Sequence, residues 1–342
     1  MSPEQTRKDT KVAKILRQTT VVRDGFHNGF TDLAYWRDMY WVSYRRGSGH
    51  ATMDGQAVVS VSTDRKRFRP AASIKLFGDN RDPKLFALSP ERMACIVPTW
   101  EGAYRGDLIR TYVAFTNDGF NWTKPERILG PGQWLWRVRR MGDQFLGMVQ
   151  QVGGQTEGPK SHDLFLMTSR DLLSWEPLAQ VGTQEHGLAE SDIVFRPDGA
   201  AWIILRCTKP PYTSYFAHAE PPYTRWELKR LDALIHAAVM LEHNGRVYVA
   251  GRSKPEVEGD STFPSVFSLG VWEVEFGKVT PVLRIPAMGD CSYPGLIKDP
   301  DGRICMSYYS QHAYYMGVVP SDAPFANVKE MPDDVYFAEL EL

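Results

Sequence analysis

Short apolar segments alternate with polar turns along almost the whole chain. The segments are rich in Val, Ile, Tyr, Phe and Trp, and Gly, Pro, Asp or Asn bounds them, a pattern typical of β-strands. Only residues 5–18 and 227–234 have a composition that allows a helix, and neither has a periodic apolar face. The pattern therefore predicts an all-β fold.

A unit of roughly fifty residues repeats six times along the chain, a spacing typical of β-propeller blades. Its first apolar strands fall at residues 33–36, 84–88, 136–140, 192–195, 238–242 and 295–297. Its second strands follow at residues 39–45, 92–97, 144–149, 201–206, 246–252 and 303–309. We expect one six-bladed domain over residues 19–342 after a polar extension at 1–18. The strand at 19–23 would complete the last blade and close the ring.

A turn motif marks the third strands of three units. Residues 113–122 contain Thr-x-Asp-Gly-x-x-Trp, and residues 59–68 and 165–175 look like degraded copies at matching positions. The Asp of such a turn caps backbone amides while the aromatic side chain packs beneath it. The motif resembles the Asp-box of sialidases, apart from the position of its Gly. This resemblance implies a sialidase-like six-bladed propeller.

The composition of the chain limits the classes of molecule that it is expected to bind. The net charge is −1 without long blocks of one sign, which argues against nucleic acid or a membrane surface as the main partner. No apolar run reaches the length of a membrane span, and the N-terminus lacks the apolar core of a signal peptide. The four cysteines are widely spaced, so we expect reduced thiols and a cytoplasmic protein. No nucleotide, serine-hydrolase or zinc-protease motif is present, and we expect no cofactor.

In a propeller, the starts of first strands and the ends of second strands lie on one face. The starts contribute polar and aromatic candidates: Asp32, Trp136, Arg137, Glu190, Asp192, His236 and Tyr293. The ends contribute three arginines after aromatic-led runs, Arg45, Arg206 and Arg252. Such a set suits an anionic ligand, although each arginine could instead pair with a local carboxylate. His27 and His236 lack an accompanying carboxylate pattern, so we expect no metal.

Residues 190–206 read as a hairpin with a Pro-Asp-Gly turn. Glu190 and Arg206 stand at its two ends, which return to the same edge, so the two charges should meet. A structural ion pair is one interpretation of this arrangement, and a functional pair is the other.

The same residues resemble the active site of exo-sialidases. In that family a Glu opens the fourth blade and an Arg closes its hairpin, as Glu190 and Arg206 do here. The family's nucleophilic Tyr is matched by Tyr293 in the segment SYPGLIKDPDG. The resemblance implies that Glu190 takes the phenol proton while Tyr293 attacks the anomeric carbon. A phenoxide is repelled less by an anionic sugar than a carboxylate would be.

The chain also departs from that family. Blade one reads HNGFTDL, without the family's Arg-Ile-Pro motif, and Arg252 lies near but not at the position of the third arginine. The acid/base candidates are His50 and Asp54, in the loop after the second strand of blade one. Trp136 and Arg137 are candidates for stacking on a sugar and binding its charge.

Three functions are compatible with these residues. The first is an exo-acting glycosidase on a nonulosonic- or uronic-acid-type sugar, using Tyr293 and Glu190. The second is a polysaccharide lyase on uronic acids, in which His or Tyr removes the proton beside the carboxylate. The third is a propeller that binds carbohydrate without turnover. Fold alone does not separate them.

Overall fold

Six antiparallel sheets surround a central axis in the computed structural model, which describes residues 13–153, 159–254, 267–315, 317 and 331–342. The innermost strand of each sheet contacts the innermost strands of both neighbours, so these strands line the axis. The all-β, six-bladed propeller that the repeat predicts is confirmed.

Within each blade the strands are given in order from the innermost to the outermost. Blade one comprises β2 (His27–Trp36), β3 (Met39–Gly47), β4 (Gln56–Ser62) and β5 (Arg69–Ile74). Blade two comprises β6 (Asp79–Asn80), β7 (Lys84–Ser89), β8 (Arg92–Trp100), β9 (Ile109–Thr116) and β10 (Glu126–Arg127). Blade three comprises β11 (Gln133–Met141), β12 (Gln144–Gln151), β13 (Leu164–Ser169) and β14 (Glu176–Gly182).

The remaining blades follow the same order. Blade four comprises β15 (Leu188–Phe195), β16 (Ala201–Cys207), β17 (Tyr215–Ala219) and β18 (Glu227–Arg230). Blade five comprises β19 (His236–His243), β20 (Arg246–Ser253), β21 (Phe267–Glu275) and β22 (Lys278–Gly289). Blade six comprises β23 (Cys291–Lys298), β24 (Ile304–Ser310), β25 (Asp334–Glu341) and β1 (Lys14–Val22), and a short helix, α1 (His312–Tyr315), follows β24.

The N-terminal strand closes the ring. β1 pairs antiparallel with β25, with Lys14 opposite Glu341 and Val22 opposite Val335. β1 begins at Lys14, within the segment 1–18 that was predicted to be a polar extension. Residues 1–12 of that extension lie outside the described part of the chain. Residues 14–18 and 227–230, whose composition allows a helix, are strand, because pairing with a neighbouring strand outweighs weak local preferences.

Apolar side chains between adjacent blades form the core. Second strands are covered on both faces, and in β8 residues 93–99 are all buried. Their apolar runs are therefore continuous rather than alternating. Trp41 of blade one packs in one cluster with Met93 of blade two, and Ala94 of blade two packs with Phe145 of blade three. No helix within the described ranges is long and apolar enough to cross a membrane.

Ser/Thr-x-Asp turns join third to fourth strands in blades one, two and three. In each, one carboxylate oxygen accepts hydrogen bonds from the backbone amides two and three residues later, at Asp64, Asp118 and Asp171. The indole N–H of Trp122 and of Trp175 donates to the carbonyl three residues earlier. Trp226 makes the same bond in blade four without an Asp. The turn geometry expected from the motif is thus present in three blades, and a fourth blade keeps part of it.

Candidate active site

Tyr293 and Glu190 are in hydrogen-bond contact. The Tyr293 hydroxyl donates to Glu190 Oε1 at 2.5 Å, and Arg206 Nη1 donates to the same oxygen. Tyr293 is 8% exposed and Glu190 4%. Glu190 Oε2 is also buried but has no hydrogen-bond partner among the described residues. One carboxylate oxygen therefore binds the phenol and the guanidinium, and the other is left for a ligand.

β-Bulges near the start of the innermost strands set the direction of these side chains. In β15, Ala189 and Glu190 together oppose Arg206. In β23, Tyr293 and Pro294 together oppose one residue of β24, and β2, β11 and β19 have the same irregularity. A bulge re-aims side chains and disrupts the local ladder. Tyr293 adopts a φ of 41°, a left-handed conformation that is uncommon outside glycine and concentrates at functional sites.

Charge and burial set the protonation of this pair. Burial alone would raise the pKa of Glu190, but the guanidinium groups of Arg206 and Arg252 outweigh it and lower the pKa to about 2. Burial, together with the Glu190 carboxylate, raises the pKa of Tyr293 well above its ordinary value. A protonated phenol therefore faces an ionised carboxylate at neutral pH. The phenol can give up its proton to Glu190 only as its oxygen forms a new bond.

Two arginines flank the pair. The Arg252 guanidinium carbon lies 5.7 Å from the centre of the Tyr293 ring and 4.5 Å from that of Phe267. The Nε atoms of Arg206 and Arg252 are buried and have no hydrogen-bond acceptor in the described part of the chain. Buried cationic donors without an acceptor are costly. An anionic ligand that reached these atoms would satisfy them.

His50 belongs to a second group, centred on Asp290. His50 Nδ1 binds Asp290 Oδ2, while Tyr309 donates to Asp290 Oδ1 at 2.9 Å. The Phe30 ring contacts both His50 and Tyr293, with ring centres 5.2 and 5.0 Å apart. Burial outweighs the attraction of Asp290 and lowers the pKa of His50 to about 4. His50 is therefore neutral, with its proton on the nitrogen that faces Asp290.

The same group contains atoms that could ligate a metal ion. One donor atom each from His27, His50 and Asp290 lies within 4.8 Å of the others. However, Arg81 Nη2 lies 3.4 Å from His50 Nε2, and its N–H keeps the His50 proton on Nδ1, where the metal would bind. Burial alone would lower the pKa of His27, but Asp333 and Asp290 raise it to about 9. The hydrogen bonds therefore fit a proton-linked cluster, and the absence of a metal stays a prediction.

Blade two contributes Arg81, Asp82 and Lys84, none of which the sequence analysis selects. Its innermost strand is interrupted between β6 and β7, where Asp82 adopts a φ of 45°. Asp82 is 2% exposed, and its Oδ1 has no hydrogen-bond partner within the described ranges. Burial raises the pKa of Asp82 to about 6, against the pull of Lys84 and Arg81. Its position directly before an apolar strand was the signal that the sequence offered.

Arg45 and Asp54 have structural positions instead of the predicted functional ones. Arg45 is fully buried: its Nε donates to Asp79 at 2.5 Å and its Nη1 to the Gly49 carbonyl at 2.7 Å. Its Nη2 donates to the Thr52 carbonyl at 3.0 Å. Asp54 is exposed and accepts a hydrogen bond from the Ser48 amide. Both residues hold the loop that carries His50, because their polar atoms are engaged within that loop and with Asp79.

Asp32 and Asp192 connect the innermost strands rather than facing a ligand. Asp32 accepts hydrogen bonds from the Leu85 amide at 3.0 Å and from Arg137 at 2.8 Å. Asp192 accepts from the Met240 amide at 2.7 Å and also binds Arg139. Each carboxylate therefore bridges to the innermost strand of the next blade. Their oxygens are engaged by the protein, and a contact of either residue with substrate stays a prediction.

Arg137 and Lys84 separate two cavities along the axis. Both line the cavity that contains Glu190, Tyr293 and Trp136 and also the cavity further along the strands. Arg137 donates to Asp32 and, at 2.6 Å, to the Pro294 carbonyl. Its terminal nitrogens are thus already bound, so it forms the floor of the site rather than a free clamp.

Trp136 and His236 complete the predicted set. Trp136 lines the cavity, and its indole N–H donates to Gln150 at 3.0 Å. His236 is fully buried and contacts the Tyr212 carbonyl at 2.9 Å. Burial, together with Arg206 and Arg252, lowers the pKa of His236 to about 3. His236 is therefore a neutral side chain beside the arginines.

Comparisons with known proteins show the fold. No protein-family model matches the chain, and no curated protein matches its sequence. A protein of unknown function from Dyadobacter fermentans superposes with a TM-score of 0.76 at 17% identity, over 96% of this chain and 99% of that one. An endosialidase of phage phi92 matches at 0.65 and 10% identity, over 95% and 69%. An α-L-arabinanase from Penicillium chrysogenum matches at 0.59 and 11% identity, over 95% and 98%. The neighbours therefore include sugar-cleaving propellers of more than one specificity.

Proposed function

We propose that the chain is a glycoside hydrolase that removes a terminal anionic sugar, with Tyr293 as the nucleophile and Glu190 as its base. The carrying observation is the 2.5 Å hydrogen bond from the buried Tyr293 hydroxyl to Glu190 Oε1, an oxygen that also binds Arg206. Structural neighbours that cleave sugars support the proposal.

The reaction has two steps. First, the phenol oxygen attacks the anomeric carbon while the glycosidic C–O bond breaks, and Glu190 accepts the phenol proton. The departing oxygen takes a proton from an acid in the site. Water then attacks the anomeric carbon and gives one proton to that same acid, now deprotonated, while the tyrosyl–sugar bond breaks and Glu190 returns its proton to the phenol. Two displacements leave the anomeric configuration unchanged.

The charges of the site suit a sugar that carries a carboxylate. Arg206 and Arg252 each have a buried Nε without an acceptor among the described residues. Their planar guanidinium groups match the two oxygens of a carboxylate. A neutral phenol approaches such a sugar without the repulsion that a carboxylate nucleophile would meet.

Two groups are candidates to exchange a proton with the departing oxygen. His50 is the residue expected from the sequence, and Asp290 orients its ring. Because the pKa of His50 is about 4, its neutral ring is better suited to accept a proton than to donate one. Asp82, with a pKa of about 6, retains a proton in mildly acidic solution. Their separate contributions are measurable, as described in the Discussion.

A panel of 4-methylumbelliferyl glycosides tests the proposal. The panel contains N-acetylneuraminic, 3-deoxy-nonulosonic, glucuronic and galacturonic acids, with wild type, Tyr293→Phe and Glu190→Gln. We expect wild type to release the fluorophore from at least one compound and Tyr293→Phe to lose this activity. A fluorinated glycosyl fluoride of the same sugar should label Tyr293, as seen by peptide mass spectrometry. Failure of wild type on the whole panel, or a label on another residue, would overturn the assignment.

A lyase acting on uronic acids is the second candidate, and the neutral ring of His50 favours it. His50 Nε2 would remove the proton beside the carboxylate while Arg206 and Arg252 neutralise the charge that develops. Such a reaction forms an unsaturated uronate, which absorbs ultraviolet light. An increase in ultraviolet absorbance on incubation with a polyuronate, without hydrolysis of the aryl glycosides, would establish lyase activity. Binding of glycans without either product would establish a carbohydrate-binding propeller.

A further inference from the structure

Four aromatic rings form a continuous series from the cavity to the surface, here called the aromatic track: Trp136, Trp134, Trp100 and Tyr104. Their successive ring centres are 5.1, 6.2 and 5.5 Å apart. Trp136 lines the cavity together with Glu190 and Tyr293. Trp136 and Trp134 are buried, at 8% and 4% exposed, while Tyr104 at the outer end is 42% exposed. The track therefore leads directly out of the candidate active site across blades three and two.

The loop that carries Tyr104 is fixed in place. The Tyr104 hydroxyl donates to the buried Asp79 at 2.8 Å. Beyond it, Gly106 packs against Gly153 so closely that a Cβ on Gly153 would lie 2.4 Å from the Gly106 carbonyl carbon. The track is thus formed before any ligand arrives, which reduces the entropy cost of binding.

One buried donor in the track points to a ligand. The indole N–H of Trp134 is buried and has no hydrogen-bond partner among the described residues, whereas that of Trp136 donates to Gln150. Buried indole N–H groups usually have an acceptor. A sugar hydroxyl would supply one, and the C–H face of a sugar ring packs well on an aromatic ring.

We propose that the aromatic track binds the sugar units on the leaving-group side of the scissile bond, so that the substrate is an oligosaccharide chain. This inference rests on the proposed function of the same site. The rings carry no charge, and the exposed Arg105 and Asp107 of the same loop neutralise each other at 2.7 Å. The track therefore suits neutral sugars, in contrast to the site of Glu190 and Tyr293, which Arg206 and Arg252 flank and which would take the terminal anionic sugar.

Kinetics with two substrates test the track. One substrate is the aryl glycoside that wild type cleaves best, and the other carries the same terminal sugar on a neutral trisaccharide. In Tyr104→Leu and Trp100→Leu, the KM for the oligosaccharide divided by that for the aryl glycoside should rise about tenfold. Tyr104→Phe, which keeps the ring, and Phe276→Ala, an aromatic that is 59% exposed and outside the track, should keep the wild-type ratio. An unchanged ratio in the two leucine variants would overturn the inference.

A binding experiment separates this inference from the proposed function. Tyr293→Phe is titrated calorimetrically with free lacto-N-tetraose, with and without the added Tyr104→Leu change. Weaker binding in the double variant supports the track even if wild type hydrolyses nothing. Equal binding by both proteins, or none by either, refutes the track even if aryl glycosides are cleaved.

Discussion

Arg45 and Arg252 occupy the same register position in blades one and five, opposite the residue that directly precedes the bulge. Their partners across the ladder are Gly29 and His236. Arg206 instead lies opposite the bulge itself, and a shift of one residue turns a side chain to the other face of its strand. Yet Arg45 is bound to Asp79, whereas Arg252 keeps a buried N–H without an acceptor in the described part of the chain.

Substitutions of Arg45 and Arg252 should therefore have different consequences. Arg252→Lys keeps the charge but loses the planar fork, so the KM for the anionic sugar should rise at least about tenfold with little change in stability. Arg45→Met leaves Asp79 Oδ1 buried without the guanidinium that binds it and should lower the free energy of unfolding by about 3–5 kcal/mol. Michaelis kinetics and urea unfolding measure the two effects. Wild-type stability in Arg45→Met would contradict the structural role of this arginine.

Glu190→Gln should lower the turnover number while changing KM little. The amide keeps the size of the side chain but cannot take the phenol proton, and loss of a general base costs about 10²- to 10⁴-fold. Glu190→Asp, a carboxylate set back by one methylene, should retain more turnover than Glu190→Gln. Steady-state kinetics on the aryl glycoside check this, and equal turnover in both variants would argue against proton transfer to Glu190.

The proton donor can be identified from the leaving group. An aryl leaving group departs with little help, but a sugar needs a proton. The donor is therefore the residue whose loss, in Asp82→Asn or His50→Gln, slows sugar release far more than aryl release. If neither variant shows this difference, another group supplies the proton.

The pH dependence of turnover tests the roles of Asp82 and His50 independently. If protonated Asp82 is required, turnover falls as pH rises through about 6, and Asp82→Asn abolishes that dependence. If neutral His50 is required, turnover falls as pH drops through about 4, and His50→Gln abolishes that dependence. The pH–rate profiles of wild type and both variants distinguish these cases.

His27 should make stability depend on pH. Its folded-state pKa is raised to about 9, above the ordinary 6.5, so its contribution is complete below about 6.5 and is lost as pH rises through about 9. Thermal unfolding from pH 6 to pH 10 should show a steeper loss for wild type than for His27→Gln. Parallel curves would show that the Asp290 and Asp333 contacts do not stabilise the charged ring.

The strand pattern predicted the blades because second strands are buried on both faces and read as continuous apolar runs. It also places Glu190 and Tyr293 near the starts of innermost strands, on one face of the propeller, while their pairing was implied by the resemblance to exo-sialidases. The bulges that orient the Glu190 and Tyr293 side chains could not be predicted from the sequence, because a bulge is defined by how a strand pairs with its neighbour. The same limit explains Arg45 and Arg206, whose register differs by one residue although both end similar apolar runs.

The start of blade two offers no site candidate from the sequence alone, because Arg-Asp-Pro interrupts the strand and the predicted strand begins only at Lys84. Asp290 was missed for another reason: its partners His27 and His50 come from the other end of the chain. Contacts across the ring closure depend on how the first and last blades meet, which local sequence does not encode.

The closing strand also imposes an order on synthesis. Arg17 and Glu339, which bind each other across β1 and β25, are 322 residues apart. At ribosomal speed β1 waits roughly tens of seconds for its partner. During that time it is an unpaired edge, and its alternating exposed and half-buried side chains, with Lys14 and Arg17 among them, discourage pairing with another chain. The pairing of β1 with β25, and with it the closure of the ring, therefore waits until β25 has left the ribosome.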